Sequence, residues 1–78
     1  MTHQEQQEIR EYFSNILKFK DKNDYLEYSV SALVFSYLMG MDPNECRYME
    51  VESDWTPDLI QEYEDIEGFI YRLIKEFE

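Results

Sequence analysis

Glycine and proline are scarce, with two of each in 78 residues. So few turn-formers argue against an architecture of many short strands joined by tight turns. Cysteine occurs once, as Cys46, so no intrachain disulfide can form. That absence, with no secretory signal, fits a reducing cytoplasm. The opening segment Met1-Thr2-His3-Gln4-Glu5 is polar and acidic, unlike a targeting peptide. The longest apolar stretch, Ala32 to Met41, is interrupted by Ser36 and Gly40. It falls far short of the roughly 20 residues a membrane span needs.

The residues of catalysis are thin as well. His3 is the sole histidine and sits in the first turn, where an exposed, functionless residue is expected. Cys46 has no histidine near it and lies on an apolar face, so it reads as a small buried hydrophobe. The serines lack a base, zinc ligands are too few, and no glycine-rich phosphate loop is present. Glu50, Glu52, Asp54 and Asp58 superficially suggest a calcium loop. Counted from Glu50, however, the glycine position holds Trp55 and the closing glutamate position holds Gln61. No catalytic residue, metal ligand or cofactor is assigned, and the chain is not expected to be an enzyme.

Positive charge is missing from one long window. Between Asp42 and Glu67 ten carboxylates face the single cation Arg47, so this window carries −9 of the net charge of −11. Such a field attracts basic surfaces and repels nucleic acid and anionic membranes. Lys18, Lys20 and Lys22, beside Asp21 and Asp24, are too few for a nucleic-acid site. Aromatics are abundant at 17% of residues, which a disordered acidic tail would lack. The composition describes a single folded acidic domain over residues 1–78, whose large side chains offset its small size.

Four helix starts are signposted. Thr2-His3-Gln4-Glu5, Asp24-Tyr25-Leu26-Glu27 and Asp42-Pro43-Asn44-Glu45 each fit a capping box, and Thr56-Pro57 adds a cap followed by proline at the first helical position. The expected elements are a helix over 2–20 with Ile9, Phe13 and Ile16 inward, and a central helix over 25–39 that includes Leu26 in its apolar face. Tyr28-Ser29-Val30-Ser31 alternates like a strand, but the pattern fails at Ala32-Leu33-Val34-Phe35, which favours helix. Gly40 suits a left-handed C-cap. A short helix over 43–50 and a loop over 50–55 precede a helix from Pro57 to Phe77 with the seam Leu59, Tyr63, Ile66, Ile70, Leu73 and Phe77. The fold class is all-α: a small helical bundle of three long helices and one short helix.

On the last helix Asp58, Glu62 and Asp65 fall on one flank of the seam, with neighbouring Cβ atoms about 5–6 Å apart. A row of carboxylates at that spacing can imitate nucleic-acid phosphates. Phe69 is expected to continue this flank, and Trp55 lies among the carboxylates of the preceding loop. Aromatics set among charges are the pattern of a protein-binding hot spot, in which the rings anchor and the charges steer. The predicted partner-binding residues are Glu50, Glu52, Asp54, Trp55, Asp58, Glu62, Asp65 and Phe69. The expected function is that of a small acidic inhibitor. It would occupy the basic, nucleic-acid-binding surface of a target protein, in the manner of phage-encoded antagonists of host defence or polymerase. That likeness is one of size, acidity and compactness. Two alternatives stand beside it: an immunity protein or antitoxin against a cationic nuclease, and a homodimeric assembly component joined through the seam of the last helix.

Overall fold

The computed structural model describes residues 1–77, which are mostly helical and, among the described residues, contain no strand. The helices are α1 (His3–Glu11), α2 (Lys22–Leu26), α3 (Val30–Met39) and α4 (Pro57–Glu76), with a π-helical turn (Tyr12–Ile16) continuing α1. The all-α reading is therefore right, while three of its expected boundaries are not.

The first correction concerns the end of the opening helix. Its N-cap forms at Thr2, whose hydroxyl accepts from the Glu5 amide at 3.1 Å. At Tyr12 the turn widens, and the Leu17 amide donates five residues back to the Tyr12 carbonyl at 3.0 Å. Widening changes the phase of the helix, so Phe13 stays fully buried while Ile16 swings outward to 67% exposure. The chain then reverses through Lys18, which adopts a left-handed φ of 59°. The Tyr12 hydroxyl fixes this end to α3 by donating to the Ser36 carbonyl at 3.0 Å, with the Met41 carbonyl at 3.3 Å.

The second correction divides the expected central helix. The cap of α2 lies three residues earlier than predicted: Asp21, not Asp24, accepts from the amides of Asn23 (2.8 Å) and Asp24 (3.2 Å). Asp24 completes the box from the other side by accepting from the Asp21 amide at 3.3 Å. α2 ends at Leu26, whose side chain is exposed rather than inward. A new helix starts after Ser29, whose hydroxyl accepts from the Ala32 amide at 3.1 Å. A serine that bonds its own downstream backbone competes with helix continuation, which accounts for the break. Tyr28, at the break, stacks on Phe19 with centroids 5.7 Å apart.

The third correction concerns 43–50. The Asp42 carboxylate accepts from the Asn44 amide at 2.8 Å, whereas the expected capping box would have it accept from the Glu45 amide. The next backbone bonds span only three residues, from Glu45 to Asp42 (2.9 Å) and from Cys46 to Pro43 (3.1 Å). The segment is a run of tight turns, not an α-helix.

α3 is the hub. Ala32 through Ser36 are all buried, the mark of a helix covered on every side. The Ser36 hydroxyl satisfies itself on the Leu33 carbonyl at 2.7 Å, and Gly40 closes the helix at φ 67°. α4 packs against α3 and α2. Its buried face contains the expected Tyr63, Ile66, Ile70 and Leu73, and adds Phe69 and Ile74. The face is wider than a two-helix seam because α1 also reaches it: the Arg10 guanidinium lies 5.4 Å from the Phe69 ring centroid and forms a two-bond ion pair with Glu76, 2.8 Å for each contact.

Candidate protein-binding site

The predicted binding residues separate into three places. Glu50, Glu52, Asp54 and Trp55 line an open groove of about 890 Å³. Asp58, Glu62 and Asp65 line a smaller cleft of about 330 Å³. Phe69 joins neither: at 3% exposure it belongs to the core. Its predicted role as an apolar anchor is therefore corrected. A helical wheel puts Phe69 on the acidic flank only if the seam is narrow. Asp58, Glu62 and Asp65 stay exposed, but at Phe69 the side chain of Arg10 from α1 covers that side of α4. Two guanidiniums, of Arg10 and Arg72, sit over the Phe69 ring at 5.4 and 5.8 Å.

The groove is formed by the C-terminal end of α3 and the irregular segment 48–55. Phe35 closes its floor, and Met39, Tyr48, Met49 and Val51 line it together with the acidic residues and Trp55. Trp55 is half-buried. Its ring meets Phe35 edge-on at 5.5 Å and Tyr63 at 6.1 Å, so it is held from beneath while one part faces the groove. Tyr63 is itself braced by its hydroxyl, which donates to Ser31 Oγ at 3.0 Å. Met39 is 46% exposed and Val51 41%, and Tyr48 projects almost wholly into solvent at 94%.

No lysine or arginine lines the groove. Arg47, the one cation of the acidic window, is engaged elsewhere. Its guanidinium donates to Asn44 Oδ1 from Nε (3.2 Å) and from Nη2 (3.0 Å), and lies 5.2 Å from the Tyr28 ring centroid. Glu50, Glu52 and Asp54 are exposed, and among the described residues none has a cation at ion-pairing distance.

The α4 cleft differs. Asp58, Glu62 and Asp65 do share a side, as their spacing predicts, but Met1, Thr2 and Glu5 at the start of α1 line the same cleft. These carboxylates thus lie beside the start of α1, together with the carboxylate of Glu5. Gln61 also donates to Asp65 Oδ1 at 3.0 Å. Asp58 lies in the first turn of α4 itself, where a negative charge favours the helix.

Sequence reasoning misses Met39 and Val51 as site residues. In the sequence Met39 marks only the end of a helix. Its exposure follows from its position at the last turn of α3, where Gly40 turns the chain away. Glu5 escapes notice because only the fold brings residue 5 beside residue 62. Cys46 is buried, as expected, and burial pushes its thiol pKa up, away from a reactive thiolate. Among the described residues there is no group of three or more His, Cys, Asp or Glu positioned to hold a metal ion. Among them, too, no helix is long and apolar enough to cross a membrane.

Of the α4 seam, Tyr63, Ile66, Ile70 and Leu73 are buried where α4 packs against α3 and α2, while Phe77 at its end is exposed. No family model matches the chain, and no curated protein or solved structure matches it.

Proposed function

We propose that this chain is a non-enzymatic binding protein that engages a basic surface on another protein. In this reading the target is a nucleic-acid-handling protein, and the acidic window competes for the surface that would otherwise meet phosphates. The observation that carries the reading is the groove at 48–55, where three exposed carboxylates without a cationic partner surround half-exposed apolar side chains. An acidic surface alone serves solubility. An acidic rim around exposed Met39 and Val51 and half-buried Trp55 is instead the composition of a contact surface, in which charges steer the encounter and apolar groups hold the complex.

The test is capture from lysate of the cells that encode the chain, at low and high salt, followed by competition. A target of the expected kind is basic and is released as salt rises, because exposed charges are screened beyond about 8 Å at physiological ionic strength. Its binding to DNA or RNA should fall as this protein is added. The variant E50K/E52K/D54K, which changes the net charge by +6 to −5, should slow association and flatten the salt dependence. A captured partner that keeps its full nucleic-acid affinity in the presence of this chain would refute the competitive reading.

A further inference from the structure

We infer that the groove accepts a short basic segment of the partner that carries a large apolar side chain, seated between Met39 and Trp55, with lysine or arginine on either side of it meeting Glu50, Glu52 and Asp54. The inference rests on the acidic-surface reading above and names the part of the partner that this groove recognises. Charge complementarity selects the basic flanks, since the rim is acidic and the nearby Arg47 is held away by Asn44 and Tyr28. The apolar centre is selected by the floor. Met39 and Val51 leave nearly half of their surface in water, and a purely hydrophilic ligand would leave that surface as it is. The thioether of Met39 is an adaptable lining that follows the shape of an inserted side chain. The groove therefore differs from the α4 cleft, whose carboxylates already face the start of α1.

Trp55 is the sole tryptophan, so its fluorescence reports groove occupancy directly. The experiment titrates the intact protein with two synthetic peptides of equal positive charge. One is an oligolysine with a central glycine spacer; the other is the same peptide with leucine replacing that glycine. The leucine peptide should bind on the order of tenfold tighter, the effect of burying one aliphatic side chain, and should shift Trp55 emission to shorter wavelength. M39Q/V51T keeps charge and near-native volume while removing apolar surface. It should abolish the preference for leucine, so that the two peptides bind the variant equally. D58K/E62K/D65K should retain the preference, because those residues line the other cleft. Equal affinity for the two peptides, or a preference that survives M39Q/V51T in a folded variant, overturns the inference. So does failure of both peptides to perturb Trp55. In those cases the competition experiment decides separately whether the acidic surface binds a basic protein.

Discussion

Both ends of this molecule are built on aromatic clusters, yet they use them for different purposes. At the α1–α2 end, Phe13, Phe19 and Tyr25 contact one another with centroids 5.2–5.8 Å apart. Phe77 stacks on Tyr25 at 5.5 Å, and the Arg10–Glu76 pair closes the same region. Phe13, Phe19 and Tyr25 are buried, and Phe77 is partly exposed. At the groove end, Phe35 and Tyr63 are buried but Trp55 is only half so, and the chain above it is irregular. The first end fastens three segments of chain into a fold. The second leaves apolar surface unfinished, inside the window that holds most of the negative charge. On the proposed reading, folding and binding occupy different ends, and substitutions at the two ends should separate them in measurement.

The largest effect is expected from Phe13→Ala. Phe13 is fully buried and touches Tyr12, Phe19 and Tyr25. Truncating such a ring costs about 3–5 kcal/mol, against a total of roughly 5–15 kcal/mol for a whole protein. Urea denaturation followed by circular dichroism should show a midpoint near zero denaturant or no folded baseline. Trp55→Ala should cost less, on the order of 1–3 kcal/mol, because part of the ring already faces water. The same variant should lose binding to the partner. If Trp55→Ala destabilises as strongly as Phe13→Ala, the groove end is core and the contrast fails.

A third substitution probes the break between α2 and α3. Ser29→Ala removes the hydroxyl that accepts from the Ala32 amide and should cost about 1 kcal/mol, read as a lowered urea midpoint. Ser29→Gly should cost only a few tenths of that. If alanine proves neutral, the break is set by Tyr28 packing against Phe19 and not by the cap.

This break also shows where sequence reading stops. Capping residues were legible: Thr2, Asp42 and Thr56 each accept from the amide two or three residues ahead of them. A cap does not say how long its element will last, however. Asp42 starts a run of turns, and Thr56 starts a helix of 20 residues. The residues downstream of each cap make the difference: Pro57 leads into an apolar stripe that α3 can cover. Ser29 is a capping residue by type, but the apolar residues on either side of it, from Leu26 to Leu38, read as the single face of one helix. The buried face of α4 was legible in its centre and too narrow at its edge, because periodicity describes one covering helix and α4 has more than one neighbour. The candidate site was legible in its charges, which are local in sequence. It was hidden in its apolar floor, since Phe35 and Met39 come from α3 and only tertiary folding sets them beneath residues 50–55.

The smallest expected effect belongs to the clasp at the fastened end. Glu76 accepts from both Nη1 and Nη2 of Arg10 at 2.8 Å, but both side chains are substantially exposed, so water and salt screen the pair. The hydrogen bonds from Arg10 hold the Glu76 carboxyl below its usual value of 4.5, and the same contact raises the Arg10 pKa. A carboxyl whose pKa is depressed on folding adds stability that is fully present above the unfolded value. That stability is lost as pH falls through the folded value. Glu76→Gln should therefore be slightly less stable than the wild type at neutral pH and low salt. The gap between the two melting temperatures should close as pH drops below 4.5, and it should also narrow at neutral pH in molar salt. Comparing variant with wild type at each pH cancels the contribution of the other carboxylates, which both proteins share. The same variant should bind the partner as the wild type does, because Glu76 lies at the end of α4 remote in sequence from the groove segment. A gap that persists unchanged at low pH would mean that Glu76 acts by packing its stem beside Arg10 and Phe69, and the clasp would then be apolar rather than ionic.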